Sequence, residues 1–245
     1  MRGAARTNML QVRRIAFWKW ATEQSNLHNI KMGSIPAGQI ALDDTPHSHP
    51  VPEAGIYVPA VTLFDPDTDK LCLEEQAKYY AYLAGTGLKG LVILGTNAET
   101  FLLTRDERAT LLKLARQSVP AGYPIIAGVG GHSTAQVLEY IADAHAAGAN
   151  YALVLPCAYF GKQTTPKVVE NFYNQVAQAS PLPIIIYNFP AVCNGLDLDS
   201  EIMTSLAQKN PNIVGTKVSN HSLHKQELSQ NRFADSFLAH LWFRR

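Results

Sequence analysis

Residues Lys89 to Thr96 read KGLVILGT, and the fold turns on them. The apolar run Leu91-Val92-Ile93-Leu94 is short, continuous and closed by glycine at both ends. Such a run suits a strand buried on both faces, as in a parallel sheet covered by helices. Thr104 then opens TRDERATLLKLARQSV, and Glu107 follows at the capping-box spacing that starts a helix. Working outward, the same alternation recurs. Upstream, GIYVPAVTLF from Gly55 is strand-like apart from Pro59, and EEQAKYYAYLAGTG has helical spacing that stops at glycine. Downstream come YPIIAGVG, NYALVLPCAYF, LPIIIYNFP and NIVGTKVS as strands. The segments STAQVLEYIADAHAAGA, TPKVVENFYNQVAQAS and DLDSEIMTSLAQKN separate them as helices.

Six β units at spacings of roughly 25–35 residues predict a parallel α/β sheet with right-handed crossovers. Two architectures fit the pattern. A doubly wound open sheet needs only five or six strands and binds ligands where the strand order reverses. A (β/α)8 barrel needs eight and carries its chemistry at the C-terminal ends of the strands. No strand is followed by GxGxxG or a Walker sequence, and GVGGHST after the third strand reads as a tight turn.

The composition narrows the classes. Of 245 residues 47% are hydrophobic, with 21 basic and 20 acidic side chains and a formal net charge of +1. That balance leaves no electrostatic footprint for nucleic acid. No apolar segment approaches the roughly 20 residues of a membrane span, so a soluble protein without a membrane partner is expected. Cys72, Cys157 and Cys193 are widely spaced, which predicts free thiols and argues against a zinc site. Residues 1–54 read as an N-terminal extension. The first 22 carry Arg2, Arg6, Arg13, Arg14 and Lys19 and no acid, the pattern of a mitochondrial presequence. The competing expectation is an untargeted arm on a cytoplasmic protein. Residues 33–54, rich in Pro, Gly, Ser and His, form the linker.

The unusual residues fall at strand ends. GTNAET (Gly95 to Thr100) ends the second strand, Tyr187-Asn188 the fifth, and Lys217 the sixth. In a closed parallel sheet these ends share one mouth. A lysine ringed by Ile and Val is partly desolvated there, which favours a neutral amine able to attack a ketone and form a Schiff base. A tyrosine beside it can move protons, and the Thr96 and Asn97 backbone N–H groups could grip a carboxylate. Lys217 alone would read as a surface lysine snorkelling from a strand end.

GTNAET followed by LTRDER, then YNFP and GTKVS, in this order, resemble the pyruvate-dependent aldolases and lyases typified by dihydrodipicolinate synthase and N-acetylneuraminate lyase. The motifs run from Gly55 to Ser219. The resemblance implies a (β/α)8 barrel, an oligomer built from tight dimers, pyruvate as substrate, and no metal or organic cofactor. By position, Lys217 resembles the Schiff-base lysine, Tyr187 the proton-relay tyrosine, and Thr96 the hydroxyl linking that tyrosine to solvent. Asn97 and Gly215 resemble the pyruvate-binding positions, and Tyr159 a tyrosine inserted into the neighbouring subunit's site. Glu99 matches a structural glutamate. Ala98 replaces the family's glycine and would add strain if that position has positive φ.

Dihydrodipicolinate synthases carry an arginine after YN-x-P, and here Ala191 to Gly195 contain none. The resemblance is therefore nearer to 4-hydroxy-2-oxoglutarate and 2-keto-3-deoxy sugar-acid aldolases, with dihydrodipicolinate synthase as the alternative. Since the family barrel continues past the lysine, the resemblance implies only six of eight units, a C-terminally truncated barrel at 55–219. Residues 220–245 are expected to be a divergent tail. Within it Phe233, Phe237, Leu238, Leu241 and Trp242 have the spacing of an amphipathic helix. Either the coding region continues in another frame, or this is a short form that is catalytically impaired and serves as a binding or assembly partner of a full-length homologue.

Overall fold

The computed structural model describes residues 50–219 and 237–239. Their strands lie in one sheet in strict sequence order, and every neighbouring pair is parallel. They are β1 (Tyr57–Pro59), β2 (Gly90–Ile93), β3 (Ile125–Gly128), β4 (Tyr151–Val154), β5 (Ile184–Asn188), β6 (Ile213–Val218) and β7 (Phe237–Ala239). Between them run α1 (Leu73–Ala84), α2 (Arg105–Ser118), α3 (Thr134–Ala146), α4 (Pro166–Ala179) and α5 (Ser200–Lys209). A doubly wound sheet reverses its strand order at a switch point. This sheet never reverses, so it winds in one direction, as the wall of a (β/α)8 barrel does.

Local chemistry sets the helix starts. Thr104 accepts a hydrogen bond from the Glu107 N–H, and the Glu107 carboxylate accepts from the Thr104 N–H, so the expected capping box is formed at α2. The side chains of Ser133, Thr165 and Asp199 cap α3, α4 and α5 by accepting from the N–H groups of Gln136, Val168 and Ile202, and Pro166 occupies the first helical position of α4.

Strand alternation separates two apolar layers. Leu91, Ile93, Ile125, Ala127, Ala152, Val154, Ile184 and Ile186 face the helices and pack with Leu111, Ile141 and Val176. Tyr57, Val92, Ile126, Tyr151, Leu153, Ile185 and Tyr187 line the opposite, inner face. Burial on both faces is why these strands read as unbroken apolar runs.

Residues 237–239 correct one expectation. Side-chain spacing there predicts a helix, yet these three residues form a strand that pairs with Gly215, Thr216 and Lys217 of β6. The physical reason is the β6 edge, whose N–H and C=O groups need partners and which recruits an extended segment over its local preference. The remainder of the expected tail helix and the whole basic presequence lie outside the described residues.

Candidate active site

Tyr187 and Lys217 are direct neighbours across the β5–β6 ladder. The pairing depends on an irregularity. Ile184 is opposite Ile213, but Ile185 is opposite Gly215, so β6 carries one extra residue. Val214 belongs to the inner layer, and unbroken alternation from it would send Lys217 toward the helices. The bulge resets the alternation and turns Gly215, Lys217 and Ser219 inward.

The Lys217 side chain is buried, with the residue 6% exposed. Its Nζ lies 3.5 Å from the centre of the Tyr187 ring and 3.3 Å from Ser219 Oγ. Burial pushes the Lys217 pKa well below its ordinary value. The ring face favours a cation, by about 2 kcal/mol or more at a desolvated site, but desolvating an ion costs several kcal/mol and lowers the pKa. The shift favours the neutral amine, which is the nucleophilic form of a lysine.

Tyr187 is 5% exposed, and its hydroxyl is 3.3 Å from Thr96 Oγ1. Burial raises its pKa, and the hydrogen bonds to Thr96 and Ser219 oppose that rise. A phenol held protonated between two hydroxyls can give up a proton and regain it along that chain. Asn188, fully buried beside it, fastens the end of β5. Its amide nitrogen donates to Asp197 Oδ1 at 2.9 Å and to the Leu198 carbonyl at 3.0 Å. Its amide oxygen accepts from the Leu198 N–H at 3.1 Å.

Thr96 reaches Tyr187 from an irregular turn. Leu94 takes a left-handed conformation (φ 61°) immediately after β2, and two 3₁₀ turns follow, Thr96–Ala98 and Thr100–Leu102. Glu99 joins them, also left-handed at φ 55°. The strain anticipated at Ala98 therefore sits one residue later, on Glu99, while Ala98 is an ordinary member of the first turn. Gly128 makes room for the sharp exit of β2. A Cβ on it would lie 1.9 Å from the Leu94 carbonyl oxygen.

The structure thus gathers Lys217, Tyr187 and Thr96, with Gly215 on the same face of β6 and Asn97 half-buried in the Thr96 turn. Tyr159 is not in that buried group. It is 69% exposed on the loop after β4, where its ring meets His132 and Phe160. Asn194, within the Ala191 to Gly195 stretch that contains no arginine, donates to the carbonyls of Ala158 (2.6 Å) and Tyr159 (3.2 Å). Ser219 was missed as a site residue, although its place two residues after Lys217 is the signal that puts both on one strand face. Among the described residues no group of three or more His, Cys, Asp or Glu could hold a metal ion.

A buried lysine whose pKa burial lowers thus lies beside a tyrosine at the C-terminal ends of parallel strands, the end where barrels of this winding carry their chemistry. Residues 52–240 match the Dihydrodipicolinate synthetase family, and the chain belongs to that family. It is 62% identical over 175 residues to the Coccidioides immitis protein named "Putative 4-hydroxy-2-oxoglutarate aldolase, mitochondrial", covering 71% of this chain and 56% of that one. It is 40% identical over 168 residues to the L-threo-3-deoxy-hexylosonate aldolase of Aspergillus niger, covering 66% of this chain and 50% of the other. The chain spans about half the length of these relatives. Among solved structures, YagE from Escherichia coli in complex with pyruvate superposes with a TM-score of 0.70 at 27% identity. That match covers 75% of this chain and 62% of YagE.

Proposed function

We propose that the site is that of a class I aldolase that cleaves a 4-hydroxy-2-oxo acid to pyruvate and an aldehyde. The observation that carries this reading is the buried Lys217 Nζ against the Tyr187 ring, its pKa lowered by burial, with Thr96 and Ser219 hydroxyls beside them. Lys217 Nζ adds to the C2 carbonyl of the substrate, and loss of water from the carbinolamine leaves an iminium. Tyr187 donates the proton that the departing oxygen needs and later takes one from the C4 hydroxyl. The C3–C4 bond then breaks, its electron pair moves into the iminium, and the aldehyde leaves. Protonation of the resulting enamine at C3 and hydrolysis release pyruvate and restore the amine. Thr96 passes protons between Tyr187 and solvent, and Asn97 and Gly215 receive the carboxylate end.

Substrate choice follows the relatives' names, which point to 4-hydroxy-2-oxoglutarate or a 2-keto-3-deoxy sugar acid. A 4-hydroxy-tetrahydrodipicolinate synthase from Listeria monocytogenes is 32% identical over 163 residues, but Ala191 to Gly195 offer no arginine for a second substrate's carboxylate. Tyr159 would complete the site of a second copy, and the exposed aromatic rim of Phe101, Tyr159 and Phe160 supports a homo-oligomer. Relatives from C. immitis and Emericella nidulans are named as mitochondrial, which favours targeting by residues 1–22 over a cytoplasmic site.

Reductive trapping tests the reading. Pyruvate and borohydride should leave an adduct on Lys217 of the 245-residue chain, absent in Lys217→Ala. A folded chain that gives no adduct sinks the proposed activity and leaves the assembly-partner role in its place.

A further inference from the structure

A buried cation outside the reacting group has no place in this chemistry so far. Arg108, on α2, is 5% exposed. Its Nε and Nη2 donate to the Thr100 carbonyl at 3.0 and 2.7 Å, and its Nη1 donates to the Gly130 carbonyl at 3.3 Å. The guanidinium lies 4.2 Å from the centre of the Tyr140 ring and 5.6 Å from that of Phe101. It thus ties the second 3₁₀ turn after β2 to the loop after β3, using the planar fork that lysine lacks.

The first 3₁₀ turn is held separately, by Thr62 Oγ1 donating to the Ala98 carbonyl at 2.8 Å. Thr62 is in turn steadied by Gln76, whose amide brackets it, donating to the Val61 carbonyl at 3.0 Å and accepting from the Leu63 N–H at 2.7 Å. Left-handed Glu99 lies between the two anchored carbonyls of Ala98 and Thr100. A non-glycine residue persists in that conformation only where its surroundings over-determine it. Thr96 begins the strained segment, and its hydroxyl must meet Tyr187 at hydrogen-bond range.

We propose that Arg108 is a positioning residue that, by clamping the Thr100 and Gly130 carbonyls, holds the strained turn in the one shape that presents the Thr96 hydroxyl to Tyr187. This rests on the Schiff-base reading of the site. Arg108 touches no reacting atom, and its effect passes entirely through Thr96. Small displacements of a proton-relay group cost rate far more than affinity.

The test is the rate of pyruvate trapping on Lys217 by cyanoborohydride, followed by peptide mass spectrometry at varied pyruvate. Arg108→Lys should lower the maximal rate about tenfold while the half-saturating pyruvate concentration moves less than about twofold. In a Thr96→Val background, Arg108→Lys should have no further effect on the rate, since the group it positions is gone. A wild-type rate in Arg108→Lys, or an equal loss in both backgrounds, overturns the proposal. Arg108→Gln, which sheds the buried charge, replaces the lysine variant where that does not fold, and failure of both to fold leaves only a structural role and also overturns it. Should the unmodified chain form no adduct, the site reading fails by itself. Amide hydrogen exchange then decides on Arg108. Faster exchange confined to residues 95–103 and 129–132 in the variant supports the clamp, and unchanged or chain-wide exchange refutes it.

Discussion

The site is assembled from two kinds of backbone. Tyr187 and Lys217 sit on adjacent strands, paired directly beyond the β6 bulge, with their strand ends fastened by Asn188 and by pairing with β7. Thr96 sits on an irregular turn with two left-handed non-glycine residues, and distant groups hold it: Thr62, Gly128 and Arg108. The ladder brings Lys217 and Tyr187 together through ordinary parallel-sheet hydrogen bonds and one bulge in β6. The turn supplies the link between the tyrosine and Thr96 only because other parts of the fold force an unfavourable conformation on it. Substitutions should therefore act differently in the two regions, changing chemistry on the ladder and geometry on the turn.

The sharpest break comes at the ladder. Lys217→Met should abolish trapping completely, yet raise stability to urea, because it removes a lysine whose charged form burial disfavours. The pH dependence exposes the cause. The unfolded chain binds the lysine proton up to its ordinary pKa of 10.5, while the folded chain refuses it until a much lower pH. Unfolding between those values takes up a proton, so wild-type stability should rise with pH through that window. It is lost as pH falls through the folded value, and urea titrations of Lys217→Met should show this slope flattened.

Tyr187→Phe keeps the ring under Nζ and removes the hydroxyl. Trapping should fall by about a hundredfold, the usual scale for losing a positioned acid or base, with the melting temperature little changed.

On the turn the order is reversed. Gly128→Ala places a methyl group against the Leu94 carbonyl and should cost about 2–3 kcal/mol in chemical denaturation, the scale of overpacking. Trapping should drop with it, and the amides after β2 should exchange faster. A Gly128→Ala chain of unchanged stability would show that the exit of β2 is not constrained as described.

The smallest effect belongs to Thr62→Val, which preserves shape and leaves the Ala98 carbonyl without its donor. About 1 kcal/mol of stability should be lost, with a rate loss below that of Gly128→Ala. If it slows trapping as much as Tyr187→Phe does, Thr62 takes part in the chemistry and the division between ladder and turn fails.

This division also explains how much of the site could be read beforehand. Residues on strands are marked by period and position. Lys217 and Tyr187 stand out as polar groups closing apolar runs, and the helix starts at Thr104, Ser133 and Thr165 follow from side chains that need only their own next turn. Arg108 carries no such mark. On a charged helix it reads as one more solvated residue, and only the approach of Thr100, Gly130 and Tyr140 turns it inward. Tyr159 was legible as a site candidate, yet in a single chain it lies exposed at the rim.

The sequence by itself determined the alternation of strands and helices and the parallel sheet, and it marked Lys217 and Tyr187 as polar candidates at the strand ends. Those depend on local spacing and on apolar runs long enough to be buried twice. Tertiary structure decided three things that spacing leaves open. It chose the strand order, since nothing in an alternating pattern says whether the winding reverses. It drew residues 237–239 into a strand, because an unpaired edge outweighs a short amphipathic pattern. It also placed the bulge opposite Ile184 and Ile185, which adds one residue to β6 and so turns the lysine away from the helices and toward the tyrosine.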